Sequence, residues 1–100
     1  EKLRAMDRAL AYDPNLPLAR LTRARIQLAD NYLSGAAVDF DRYRELLPHR
    51  PEGYLGLVQI ALRVDRPDKA RLILQDALRW MPEDDELARQ REQLQPGSQD

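Results

Sequence analysis

His49 is the only histidine of the chain and there is no cysteine. It stands in "LPHRPE", between two helical patterns. Neither a catalytic dyad with a second imidazole nor a two-histidine metal site can be built from it, and there is no thiolate nucleophile. No Gly-rich phosphate loop and no G-x-S-x-G elbow occurs. The acidic run "EDDE" (83–86) lacks the alternation of a calcium loop and reads as charge at a helix start. The arginines carry more information. Fourteen of the sixteen basic residues are arginine, and "ARLTRAR" gathers Arg20, Arg23 and Arg25. Such forks serve either as a solvated face with local ion pairs or as donors to a partner's carboxylates. The inventory predicts no enzyme and no cofactor or metal, and it directs attention to binding.

The elements that would position these side chains are helices. The 100 residues suit one domain or a piece of a larger one. They are 43% hydrophobic, 33% charged and 6% aromatic with four glycines, which favours helices with charged outer faces over a sandwich of strands. A formal charge of −1 provides no field to draw nucleic acid or anionic lipid. No apolar run approaches the length of a membrane span, and the charged start "EKLRAMDRAL" makes Glu1 read as a cut end.

Helical patterns stop at Pro14, Pro48 and Pro82, each 34 residues after the last. Eight residues before each proline stand Met6, Phe40 and Leu74; five before stand Ala9, Tyr43 and Ala77; two before stand Tyr12, Leu46 and Trp80. Steps of three place these residues along one side of a helix, predicting a buried stripe that includes Tyr12 and Trp80. Ala36 and Ala70, twelve before the last two prolines, would let neighbouring helices approach closely. Ahead of each alanine lies another helical segment and a short turn. In "DRPDKA", Pro67 fixes φ at a helix start, with Asp65 and Asp68 expected as caps or favourable charge. Each period is therefore helix, turn, helix, proline.

This pattern resembles the tetratricopeptide repeat, a helical hairpin of 34 residues. In residues 51–84, Tyr54 matches the family's tryptophan slot, Leu57 its leucine, Ala70 and Ala77 its two alanines, Leu74 its aromatic and Pro82 its proline. Val58 for glycine and Ala61 for tyrosine depart from it and roughly exchange volume across one packing site. The resemblance implies an all-α fold, an α–α superhelix of antiparallel helix pairs. It divides the chain into the second helix of a truncated unit (1–16), units at 17–50 and 51–84, a capping helix or the start of a next unit (85–95), and a tail (96–100). In the last helix, Leu87 and Leu94 are spaced to touch the preceding unit.

The first full unit fits less well, because strict register puts Arg20, Arg23 and Gln27 in core slots, where unpaired charge costs several kcal/mol. A slide of one residue fills the stripe with Leu21, Ala24 and Leu28 instead. It predicts an extra residue before Leu18 and a partly buried Arg25 with an acidic or backbone partner.

The resemblance further implies an extended concave surface lined by the first helix of each unit. With Tyr54, Leu57, Val58 and Ala61 taken by the core, Glu52, Leu55, Gln59, Leu62 and Arg63 are left for the groove. The same slide assigns Ala19, Thr22, Ile26, Ala29 and Asp30 on the preceding helix, with Arg23 beside them. The asparagine and lysine set by which some members clamp a C-terminal carboxylate is missing, since Gly56 and Gln59 stand where asparagines are wanted. The apolar floor would meet either a partner helix or extended segment, or later units of the same solenoid. The expected function is a non-catalytic segment of a protein-interaction scaffold. The alternative is a structural spacer, or a module that self-associates through its ends. Arginine preference and the family's habits suggest a bacterial envelope or secretion machine such as exopolysaccharide export, in the periplasm.

Overall fold

The apolar stripes and proline stops of the sequence become six α-helices in the computed structural model, which describes residues 2–95. They are α1 (Lys2–Tyr12), α2 (Pro17–Ala29), α3 (Leu33–Leu46), α4 (Glu52–Arg63), α5 (Pro67–Trp80) and α6 (Asp85–Gln93), with no strand among the described residues. Each helix packs against the next in sequence, and α2 also reaches α4. The result is elongated, 48 × 26 × 16 Å. The tail expected at 96–100 lies outside the described residues.

Local chemistry explains the boundaries. Pro17 and Pro67 sit in the first turns of α2 and α5, where a missing N–H costs nothing. Asp84 caps α6, its carboxylate accepting from the Leu87 amide at 3.0 Å. The ends of α2 and α4 are built alike. Asn31 and Asp65, 34 residues apart, both adopt φ +59°, the left-handed conformation that Asn and Asp tolerate best after glycine. The Asn31 and Tyr32 amides donate to the Leu28 and Gln27 carbonyls, and the Asp65 and Arg66 amides repeat this on Leu62 and Ala61. Asp65 thus terminates α4, contrary to the expectation that it caps α5. The bounds of α3 and α5 are offset by the same 34 residues.

Two apolar clusters form the core. The first joins Leu21, Ala24, Leu28, Ala36, Phe40 and Tyr43 and is covered by Leu57 and Ile60 of α4. The second joins Tyr54, Val58, Ala61, Ala70, Leu74 and Ala77 and is covered by Leu87 of α6 and by Leu94 just after it. Ala36 and Ala70 are fully buried, as their small size predicts. The close approach of α4 to α3 depends on glycine. A Cβ at Gly53 would stand 2.8 Å from the Phe40 carbonyl oxygen, and one at Gly56 would overlap the Phe40 ring.

Two expectations about the core are corrected. Tyr12 is 92% exposed, and Trp80, at 45%, meets the His49 ring edge-to-face with centroids 4.9 Å apart. Both lie in the last helical turn before a proline and are not part of the buried stripe. The slide in the first unit does not occur either. The matched ends at Asn31 and Asp65 hold strict register, so Arg20, Arg23 and Gln27 stand one period before Tyr54, Leu57 and Ala61. Leu21, Ala24 and Leu28 are nevertheless buried, on the adjacent arc of the same helix.

Candidate protein-docking surface

The inward arginines of α2 are tolerated because Asp39, on α3, is buried between them. Arg20 Nη1 donates to Asp39 Oδ1 at 2.8 Å, and Arg23 forks onto both oxygens through Nε (2.6 Å) and Nη2 (2.9 Å). Arg23 Nη1 extends the network to Asp7 of α1 at 2.8 Å. Its hydrogen bond to Asp39 raises the Arg23 pKa above the ordinary arginine value, against the lowering effect of burial, and Asp7 adds to the rise. Arg23 therefore ties α1, α2 and α3 together. Arg25, expected inside, is exposed. The slide avoided a charge burial that Asp39 already compensates.

Strict register also relocates the first helix's outward face. Thr22 and Ile26 are half-buried and stand one period before Gly56 and Ile60, which face the first core cluster. The true counterparts of Glu52, Gln59 and Arg63 are Leu18, Arg25 and Ala29, all exposed. Leu18 is 73% exposed, and nothing in the slid alignment pointed to it. The matching Asn and Asp at the two helix ends were the signal that could have found it.

On α4 the residues expected in a groove are outward in part. Gln59, Leu62 and Arg63 are exposed, while Leu55 is half-buried against the second core cluster. Arg63 bridges the two first helices, its Nη1 donating to the Leu28 carbonyl at the end of α2 at 2.9 Å. Glu52 lies at the α3–α4 junction, accepting from the Tyr43 hydroxyl at 3.4 Å with Arg50 3.9 Å away. Burial, with Glu52 nearby, pushes the Tyr43 phenol above its usual pKa.

The opposite face is formed by α3 and α5. Between them lies a cleft of about 610 Å³, with Tyr54 and Leu57 of α4 among its lining residues and Asp41, Arg44, Lys69 and Asp76 around it. Tyr54 donates to the Pro48 carbonyl at 3.0 Å and lies 5.9 Å beneath the Arg44 guanidinium. Burial, then Asp76, raises the Tyr54 phenol. Burial is the strongest single influence on Arg44 and lowers it, but the hydrogen bonds and charge of Asp41, with Tyr54 and Glu45, together raise it.

Among the described residues no three His, Asp or Glu side chains converge as a metal site, and no helix is long and apolar enough to cross a membrane. No family model and no curated protein sequence matches the chain.

Proposed function

We propose that this chain is a segment of a tetratricopeptide-type scaffold that holds another protein along the outward face of α2 and α4, without catalysis. The observation that supports this most is the 34-residue recurrence of helix ends, left-handed terminating residues and buried alanines. Helical hairpins repeated at that spacing stack on their neighbours, and their first helices then line one continuous surface. Here that surface offers Leu18 and Leu62 as apolar contacts between Arg25, Gln59 and Arg63. The chemistry fits an amphipathic or extended segment carrying carboxylates opposite the arginines.

A photo-crosslinking side chain in place of Leu62, in the full-length protein in its own cell, identifies the partner. With that partner purified, Leu62→Glu combined with Arg25→Glu is expected to weaken binding by about 100-fold, the loss of a hot spot worth roughly 2–3 kcal/mol. Far-UV circular dichroism should stay unchanged, since both side chains are exposed. Leu55 is left intact because it also packs on the core. Unaltered affinity in the double variant would remove this face from consideration.

A further inference from the structure

The cleft between α3 and α5 stands apart from the face proposed above. Val38 and Leu72, one period apart, border it and are 62% and 64% exposed. Ala37, Leu57 and Ile73 continue the apolar lining. Charge is ordered along α5. Lys69 comes one turn before Leu72 and Ile73, and Asp76 one turn after, about 10 Å from Lys69 at 1.5 Å per residue. Among the described residues Lys69 makes no ion pair, and the half-exposed Asp76 carboxylate pairs only with Arg44, at 4.0 Å.

We propose that this face is a two-fold interface with a second copy of the same chain, in which α5 crosses its mate antiparallel over Leu72 and Ile73. An axis through the midpoint between Lys69 and Asp76 sets Lys69 of each copy opposite Asp76 of the other, so that two ion pairs flank a central apolar contact. A strip reading cation, apolar, anion is complementary to its own image in that orientation, whereas a parallel crossing opposes like charges. The lining carries Lys69 and Arg44 against Asp41 and Asp76, so it has no net charge with which to draw a strongly acidic or basic partner. Val38 and Ala37 extend the contact from α3 onto the crossing helix.

Sedimentation equilibrium of this chain from about 10 μM to 1 mM tests the interface, a range matched to weak association. A monomer–dimer equilibrium is expected, and Leu72→Asp should abolish it while helicity is retained. Lys69→Glu and Asp76→Lys should each weaken dimerisation by about tenfold, because each reverses one member of two surface pairs. Mixing the two variants should restore association, since their heterodimer again contains two attractive pairs. A monomer throughout the range, a dimer that survives Leu72→Asp, or a mixture no stronger than either variant would overturn the proposal.

Discussion

At the residue scale, Asp39 decides the packing of the first hairpin. Its carboxylate holds Arg20 and Arg23 in slots that the next unit fills with Tyr54 and Leu57. Replacing Asp39 by alanine should cost on the order of 3 kcal/mol in urea unfolding, because largely buried Arg20 loses its counterion and Arg23 keeps only the exposed Asp7. Arg20→Met and Arg23→Met combined with Asp39→Leu should cost much less, since burying apolar groups leaves no charge unpaired. An equal loss in both proteins would contradict this account. Asp39 was legible only through the period: one repeat later its slot holds Ile73, and an acid in an apolar slot opposite two arginines is a paired one. The apolar slots of the second unit needed no such comparison, because Tyr54, Val58, Ala61, Leu74 and Ala77 are buried as their spacing predicts.

Tyr54 supplies a pH dependence at the same scale. Its phenol and that of Tyr43 are raised above 10.0 in the folded chain, chiefly by burial. Below about pH 10 both phenols stay protonated whether folded or unfolded, and their contribution is intact. Above it the unfolded chain ionises first and binds fewer protons, so stability falls until pH passes the raised folded values. Urea midpoints measured from pH 9 to 11.5 should decline, and Tyr43→Phe with Tyr54→Phe should flatten that decline. An unchanged slope in the double variant would assign it to other groups.

At the scale of the element, α4 is defined by how closely it can lie on α3. Gly53→Ala should destabilise the chain by about 1–3 kcal/mol in thermal or urea unfolding, although alanine is the better helix former by roughly 1 kcal/mol. The reason is the Phe40 carbonyl oxygen, a backbone atom that cannot rotate away. A neutral or stabilised variant would mean that the two helices separate freely. Helix existence and length were readable from stripes, prolines and caps. Gly53 and Gly56 were not readable as contact points, because the spacing of two helix axes is a tertiary quantity with no periodic signature of its own. The slide failed for a related reason: it weighed each helix's own stripe and ignored the acid on the neighbouring helix.

Across the whole molecule, the two core clusters are served by different hairpins and share α4 between them. Leu74 is fully buried in the second, and Leu74→Ala should remove about 2–5 kcal/mol there. In native-state hydrogen exchange, amides of α5 and α6 should lose protection well before those of α2 and α3. Equal loss throughout would show one indivisible cooperative unit.

Consecutive helices touch along the length of this elongated chain, and few atoms reach further. The bond from Arg63 to the Leu28 carbonyl is one that does. It ties the C-terminal end of α4 to that of α2, across the gap between one hairpin and the next. A carboxylate that drew Arg63 off Leu28 would cut that tie, so under the scaffold reading proposed above a partner bound there would also loosen the link between the two hairpins.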